Sequence, residues 1–445
     1  MNLPTRRPGS RLLLPLTAAT VVGVVMTALS AVLLPGAGPT PSPTQVSPPA
    51  APAAGQPMPL PPGEELLIAS GVDESQKKAR EKAIQDWNDQ HPDVPARIVP
   101  VYGNADAQRD SFQKLLNPAL TDPVDIVNLD SVHLAEFAAV QPDGTPPRLV
   151  VLDRKTPDVP HPITKEEQDA FLSKPLFTCF WDQKLYALPY NSDVGLLFFP
   201  AGTPLPKNEA ELPKAFAANP TVPPRVAIQL SRDEAFVVNV LEQLLAVNEN
   251  LLTDDGSPQK VIQKDWEDAL TEVRRKVKDG LLWDTTDTGR SAEEETNSAF
   301  KLKQAAAMRN WPVWFGDIQP RPVVRRLFGP GILGGQNLAV AEKSRHKAQA
   351  IELIRFLTSE ERQQKLLIDG RFVPTIKATY TSEQAKISVP YLGELHDAVQ
   401  EARPRPITPT YWEVSKVILG YLYPVVVSGK ELDPNFDRVM EGALN

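Results

Sequence analysis

The stretch ELLIASGVDESQKKAREKAIQDWNDQHPDVPARIVPVYGNADAQRDSFQKLLNPALTDPVDIVNLD, residues 65–130, decides the fold. Three short apolar runs within it, ELLIAS (65–70), ARIVPVY (96–102) and VDIVNL (124–129), predict β-strands. Residues 76–90 and 107–117 lie between these runs and carry the apolar spacing of amphipathic helices. Strands that alternate with helices indicate an α/β fold built on a parallel sheet.

The ends of these strands predict where a ligand would bind. In open α/β sheets, ligands bind beyond the carboxyl ends of the strands, where the loops carrying Asp73, Gly103 and Asp130 would lie. Asp130 is therefore a candidate ligand contact. It could equally cap a helix that begins at Ser131, and the sequence leaves both interpretations open.

The rest of the chain predicts a second α/β unit. Residues 226–230 read as a strand, and residues 233–248 and 265–278 read as helices. A strand at 338–341 and helices at 346–368 and 411–428 follow. Because 445 residues exceed the usual size of one domain, we expect two lobes that the chain visits more than once.

Composition argues against several functional classes. The chain has 55 Asp and Glu against 47 Lys and Arg without a basic block, so we expect no nucleic-acid partner. Cys179 is the single cysteine, and the five histidines have no zinc-site spacing, so we expect no metal and no cofactor. Residues 329–334 match G-x-G-x-x-G, but an apparent strand follows them, and they suit a hinge better than a nucleotide site.

The N-terminus predicts export. Arg6, Arg7 and Arg11 precede an uncharged apolar segment, residues 12–34, which is long enough to cross a bilayer with residues 1–11 inside the cell. The segment could be a cleaved signal or a retained transmembrane anchor, and we favour the anchor. Residues 35–62 are rich in Pro and Ala and predict an extended linker. We therefore expect the folded part at the extracellular face of the plasma membrane.

Several segments resemble one protein family. They are VDIVNLDSVHLAEFA (124–138), KLYALPYNSDVGLLFF (184–199), AAAMRNWPVWFGDI (305–318), LGGQNLAVAEKSRHKAQAIELIRFLTSEERQQ (333–364) and ARPRPITPTYWEVSKVI (402–418). In this order they resemble the family 1 extracellular solute-binding proteins of maltose- and trehalose-type ABC importers, in an actinobacterial style.

The resemblance implies a two-lobed, type II periplasmic-binding-protein-like fold with a hinged cleft. Lobe 1 would hold residues 63–191 and 329–372, and lobe 2 would hold residues 192–328 and 373–445. The chain would cross between the lobes near residues 191–194, 330 and 372–375. A monomer would enclose a small molecule, most simply a carbohydrate, and deliver it to the permease subunits of an ABC transporter.

Sugars present apolar CH faces and polar edges, so their sites combine aromatic rings with paired hydrogen-bonding groups. The resemblance places the ring of Trp311 in the cleft, and Arg403 resembles an arginine that holds sugar hydroxyls. Core packing for Trp311 and a solvated charge for Arg403 are the alternatives. The candidate ligand-binding residues are Asp130, Trp181, Asn191, Asp193, Arg232, Glu234, Trp311, Trp314, Gly335, Gln336, Arg403 and Tyr411.

Two departures from the family leave the ligand open. Arg232–Asp233–Glu234 stands where relatives carry an aromatic residue and a glutamate, and Gln336 stands where they commonly carry Trp. An amino sugar, an oligosaccharide or a polyol therefore remains possible. We do not expect an enzyme such as a glycoside hydrolase, because no motif singles out a carboxylate pair. The alternative function is a membrane-anchored ligand sensor or interaction module with a diverged, non-sugar cleft.

Overall fold

The computed structural model describes residues 57–444, apart from 118, 120–122, 142, 257–259 and 286–290. The predicted tail, the apolar segment and residues 35–56 of the predicted linker lie outside the described residues. Contacts divide the chain into residues 1–51 and 52–445, and only the second unit is described below. None of the described helices is both long enough and apolar enough to span a bilayer.

The strands are β1 (Leu66–Gly71), β2 (Ala96–Val101), β3 (Ile126–Asp130), β4 (Phe180–Trp181), β5 (Lys184–Leu185), β6 (Ala187–Asp193), β7 (Leu196–Phe199), β8 (Val226–Ile228), β9 (Leu282–Asp284), β10 (Ala307–Asn310), β11 (Val323–Arg326), β12 (Ile332–Val340) and β13 (Arg403–Pro404).

The α-helices are α1 (Ala79–Gln90), α2 (Ala105–Leu115), α3 (Leu134–Ala138), α4 (Lys165–Asp169), α5 (Ser173–Phe177), α6 (Leu212–Phe216), α7 (Glu234–Val247), α8 (Gln263–Lys278), α9 (Ala292–Lys301), α10 (Lys347–Leu357), α11 (Glu360–Ile368), α12 (Glu383–Ser388), α13 (Leu392–Glu401), α14 (Tyr411–Ser428) and α15 (Phe436–Leu444).

The strands form two main sheets, and each sheet is the centre of one lobe. In the sheet of lobe 1 the order is β13-β12-β3-β1-β2, and β6 also pairs with β12. Strand β13 comes from the range predicted for lobe 2, so this range adds one short strand to the sheet of lobe 1. In lobe 2 the order is β11-β7-β10-β8-β9. The β-α-β opening does form parallel pairs, β1 with β2 and β1 with β3, but β12 runs antiparallel to β3. The sheets are therefore mixed, whereas the sequence predicts a parallel one.

The chain passes between the sheets over very short connections. β6 in lobe 1 ends at Asp193, and β7 in lobe 2 begins at Leu196. Gly195 lies in this connection, where a larger residue would clash. A Cβ there would stand 2.6 Å from a carboxylate oxygen of Glu242 and 2.7 Å from Nε of Arg309. The absence of a side chain at Gly195 lets a fully buried, bidentate salt bridge between Arg309 and Glu242 lie beside the connection between the lobes. Its N–O distances are 2.6 and 2.7 Å.

Two predicted elements differ from the observed ones. The helix predicted over residues 346–368 is broken between α10 and α11, because the hydroxyls of Thr358 and Ser359 donate to backbone carbonyls of the preceding turn and Ser359 adopts an extended backbone. Strand β12 begins at Ile332, six residues before the predicted start, because the GILGGQ segment pairs with β6 and β13.

Candidate functional site

A cavity of about 600 Å³ lies between the two lobes. Lobe 1 contributes the ends of β1, β3 and β6 and the start of α2. Lobe 2 contributes the starts of α7 and α9 and the turn from Trp311 to Trp314. Strand β12 passes along the cavity through residues 334–336. A volume of about 300–1,000 Å³ is usual for sites that hold small molecules.

Local sequence explains why helix starts surround the cavity. The side chains of Asn104, Asp233 and Ser291 accept hydrogen bonds from the first-turn amides of α2, α7 and α9, respectively. These caps fix the points at which the three helices begin. The residues that follow the caps, Asp106, Glu234 and Glu293, consequently line the cavity.

A bulge in β12 shapes one wall. Gly335 has φ +122°, and a Cβ there would stand 2.3 Å from the Asn191 carbonyl oxygen, so only glycine fits. The register with β6 shifts directly afterwards, between Gln336 and Asn337. Gln336 Oε1 then accepts hydrogen bonds from Arg80 Nη2 and Asn128 Nδ2, both at 2.8 Å.

The Trp311 ring contributes an aromatic surface. The Arg309 guanidinium lies 3.9 Å from the ring centroid, and Nε1 donates to Glu293 Oε1 at 3.4 Å. The ring lies directly beside β12, since a Cβ on Gly334 would stand 3.8 Å from it, an ordinary van der Waals distance. These contacts hold Trp311 in one orientation while it lines the cavity together with Trp314.

Two carboxylates share one arginine across the cleft; we call Asp130, Glu234 and Arg405 the bridged group. Arg405 Nη2 donates to Asp130 Oδ1 of lobe 1 at 2.9 Å, and Nη1 donates to Glu234 Oε1 of lobe 2 at 2.6 Å. Tyr411 and Ser415 donate their hydroxyl protons to Glu234 as well. Burial raises the pKa of Glu234, and the charge of Arg405 opposes that effect.

Among the described residues, five other carboxylates line the cavity without a salt bridge; we call three of them, Glu74, Asp193 and Glu293, the open group. Desolvation raises the pKa of Asp193 to about 8, although the Arg309 charge opposes it, and the charges of Glu74, Asp130 and Glu293 raise the pKa further. Desolvation and the charge of Glu293 also raise the pKa of Glu74. The positive charges of the protein therefore compensate these two carboxyl groups only in part.

Eight of the twelve residues that the sequence predicts as ligand contacts line this cavity. They are Asp130, Asn191, Asp193, Glu234, Trp311, Trp314, Gly335 and Gln336. Asp130 does cap the helical turn that begins at Ser131, since Oδ1 accepts from the amide of Val132, and the same oxygen also accepts from Arg405. Its contact with a ligand stays a prediction.

The other four predicted residues lie outside the cavity lining. Trp181 is on the β4–β5 hairpin and packs against the core of lobe 1. Arg232 is exposed above the ring of Tyr423, and the Arg403 guanidinium contacts Asp254. Tyr411 is buried behind the wall, where its hydroxyl supports Glu234.

The site also contains residues that the sequence analysis missed. The most important is Arg405, which follows Arg403 by two residues in ARPRP. Arg403 pairs with Ile332 at the start of β12, whereas Arg405 lies about 6.6 Å further along the chain, near the level of Gly334. Arg80 and Glu74 follow the end of β1, and the strand-end rule did indicate that loop through Asp73.

Comparison with known proteins gives the fold and the family. The structure superposes on maltose-bound MalE3 of T. maritima with a TM-score of 0.68 at 24% identity, covering 85% of this chain and 98% of that one. It superposes on the GacH receptor of Streptomyces glaucescens with a TM-score of 0.65 at 19% identity, covering 85% of this chain and 96% of that one.

A third solved structure is the solute-binding protein of Thermotoga lettingae bound to α-D-tagatose. Its TM-score is 0.65 at 16% identity, and the alignment covers 86% of this chain and 98% of that one. At these identities the likeness establishes the two-lobed α/β fold of periplasmic binding proteins.

Sequence comparison adds a curated relative and a family. A Deinococcus radiodurans protein named "Probable ABC transporter-binding protein" is 30% identical over 168 residues, which are 34% of this chain and 40% of the relative's length. The family model described as bacterial extracellular solute-binding protein matches residues 82–389, well over half of the chain. The chain therefore belongs to the bacterial extracellular solute-binding proteins.

Proposed function

We propose that this protein captures a sugar in the interlobe cavity and delivers it to an ABC importer without changing it chemically. The observation that carries this proposal is the combination, in one cavity of about 600 Å³, of the Trp311 and Trp314 rings with many hydrogen-bonding groups. A sugar needs both, since its CH faces pack on rings and its hydroxyls exchange hydrogen bonds with planar polar groups.

Relatives support a sugar as the solute. The similar solved structures include receptors bound to maltose and to α-D-tagatose, and one studied with acarbose. The curated relative's name connects such proteins with ABC transporters, so the partners we propose are the permease subunits of an importer. We propose a monomer as the working unit.

The proposed mechanism is closure of two lobes around the solute. Residues 63–191 and 329–372 would move as lobe 1, and residues 192–328 and 373–445 would move as lobe 2. The hinge would include the short link between β6 and β7. Contacts from both lobes with one bound molecule favour the closed form, which a transporter can recognise by its shape.

We also propose where the protein works. The family is extracellular, and the apolar residues 12–34 with three preceding arginines would hold the folded part at the outer face of the plasma membrane. The Pro- and Ala-rich residues 35–62 would then serve as the spacer between membrane and receptor.

Thermal unfolding of the full-length protein in mild detergent tests the proposal. The panel contains maltose, trehalose, tagatose, glucosamine and N-acetylglucosamine, together with a polyol control. A ligand at a hundredfold excess over its Kd stabilises the folded state by about 2.7 kcal/mol, which is a clear shift in the transition. We expect at least one sugar to shift the transition and to be recovered unchanged.

Two tryptophan variants give the matched control. Trp311→Ala removes a ring that lines the cavity and should abolish the sugar-dependent shift, whereas Trp181→Ala removes a ring from the core of lobe 1 and should keep it. If no sugar shifts the transition of the wild-type protein, the proposed function is wrong. Hydrolysis of a sugar during the measurement would contradict the proposal that the protein performs no chemistry.

A further inference from the structure

The cavity has an excess of acidic over basic side chains. Among the described residues, seven carboxylates line it, namely those of Glu74, Asp106, Asp130, Asp193, Asp233, Glu234 and Glu293. Two guanidinium groups, those of Arg80 and Arg405, line it as well. A neutral sugar needs no such imbalance, because hydroxyl groups are recognised equally by donors and acceptors.

Each nearby arginine is already engaged within the protein. Arg405 is 3% exposed and serves the bridged group. Arg80 donates to Ser70, to the Gly71 carbonyl and to Gln336. Arg309, which approaches Asp193, forms the bidentate salt bridge with Glu242. Among the described residues, none of these three cations forms a salt bridge with the open group.

The open group contains hydrogen-bond acceptors that have no donor within the described part of the protein. In the described part of the chain, the carboxylates of Glu74 and Asp193 have no hydrogen bond and no salt bridge, and that of Glu293 accepts only the long one from Trp311. Asn191 is 4% exposed and lines the same cavity, and its Oδ1 is buried without a hydrogen-bond partner. An unsatisfied buried acceptor is costly until a ligand supplies a donor.

Helix dipoles do not remove the excess charge. The starts of α2, α7 and α9 face the cavity, and each start carries about half a positive charge. Together the three helix starts offset less than two units of negative charge, whereas seven carboxyl groups line the cavity. The first-turn acids Asp106, Glu234 and Glu293 also lie at these starts, so the dipoles are already directed at acids of the protein itself.

We propose that the solute is an amino sugar whose protonated amine binds among Glu74, Asp193 and Glu293, with Asn191 Oδ1 as an additional acceptor. This inference rests on the proposed function and narrows its substrate class. An ammonium group has three donors and one positive charge, so it both fills the spare acceptors and compensates the open group. The crowding that raises the pKa of Asp193 and Glu74 in the empty cleft would be relieved on binding.

Two matched pairs of sugars test the inference by titration calorimetry on the full-length protein. The first pair is glucosamine and N-acetylglucosamine; the second is the glucosamine disaccharide and its N,N′-diacetylated form. Acetylation keeps the sugar skeleton and removes the positive charge. At a pH below the pKa of the sugar amine, the non-acetylated sugar carries a positive charge. In at least one pair, we expect it to bind at least tenfold more tightly than its acetylated partner, and its affinity to fall as salt is added.

Variants identify the group responsible. Asp193→Asn and Glu293→Gln keep the shapes of the side chains, and each should weaken binding of the free amine at least tenfold while changing that of the acetylated sugar by less than threefold. Glu431→Gln removes a 95% exposed carboxylate with the same change in net charge, and it should leave both affinities unchanged.

The outcomes separate this inference from the proposed function. Equal or tighter binding of the acetylated or other neutral sugars would overturn the amino-sugar inference and leave the sugar-binding function in place. Spermidine serves as a cation that is not a sugar. Binding of spermidine without binding of any sugar would overturn both, and so would a failure of every sugar and of spermidine to bind.

Discussion

The bridged group and the open group hold carboxylates in the same cavity under opposite conditions. Asp130 and Glu234 share the buried guanidinium of Arg405, whereas Glu74 and Asp193 have neither a hydrogen bond nor a salt bridge among the described residues. The protein completes the first group with its own cation. We infer that a ligand supplies the cation for the second group. The difference then separates a salt bridge that the protein completes by itself from carboxylates that we propose as the binding site of the solute.

The largest expected effect concerns the bridged group. Arg405→Met leaves Asp130 and Glu234 without their shared cation, and Glu234 is only 14% exposed. Loss of one partner from a largely buried salt bridge costs about 3 kcal/mol. We expect the free energy of unfolding, measured by denaturant titration at neutral pH, to fall by about that amount. A loss below about 1 kcal/mol would mean that the group contributes little to joining the lobes.

The polar wall around Gln336 should be nearly as sensitive. Gln336→Leu removes the acceptor that Arg80 and Asn128 share, and leaves two buried donors to find other partners. An unsatisfied buried group costs about 1–3 kcal/mol, so we expect a loss of about 2 kcal/mol in the same titration. Gln384→Leu, at an exposed site on α12, is the control and should change the stability by less than about 0.5 kcal/mol. Equal effects of the two variants would contradict this account of the wall.

In contrast to the bridged group, the open group should destabilise the folded protein when its carboxyl groups are ionised. The raised pKa of Asp193 means that the folded protein holds this proton more tightly than the unfolded chain does. Stability should therefore fall as pH rises from about 4, the unfolded pKa, to about 8. The groups that face Asp193 are Arg309, Glu74, Asp130, Glu293 and Tyr391.

Asp193→Asn removes this dependence. We expect the variant to be more stable than wild type at pH 8. We also expect the decline of its stability with pH to be shallower than that of wild type by about 1 kcal/mol per pH unit across this range. Thermal unfolding at several pH values measures the difference. An unchanged slope, or a variant less stable at pH 8, would show that Asp193 is not desolvated in the empty cleft.

The smallest expected effect belongs to Arg403. Its partner Asp254 is 84% exposed, and exposed ion pairs contribute about 0–1 kcal/mol. Arg403→Ala should therefore lower the stability by about 1 kcal/mol or less and leave the affinity for sugar unchanged. A tenfold loss of sugar affinity would restore the sequence-based assignment of Arg403 to the site.

The sequence predicted the elements better than the side chains. Apolar periodicity located β1, β2 and β3, and the rule about strand ends pointed to the loops that line the cavity. Both signals depend on local pattern, which burial on one face imposes directly. The break at Thr358 escaped prediction because the apolar spacing continues across it while side-chain hydroxyls end the helix.

Contacts between distant parts of the chain determine which side chains reach the cavity, and local sequence does not reveal these contacts. Arg403 and Arg405 are indistinguishable by type, and only the register of β13 against β12 decides which one reaches the cavity. Trp181 and Trp311 are likewise both half-buried rings, one against a core and one at the cleft. Glu293 escaped prediction because no local feature reveals that the start of α9 faces the cavity.

A crystal structure of the protein with the tightest-binding sugar of the panel tests the central claim most directly. The account predicts one sugar molecule in the cavity between the lobes, with a CH face against the Trp311 ring and hydrogen bonds to residues of both lobes. For an amino sugar, it predicts the amine within hydrogen-bond distance of the open group. A sugar bound outside the cavity, or in it without contact to Trp311, would contradict the account.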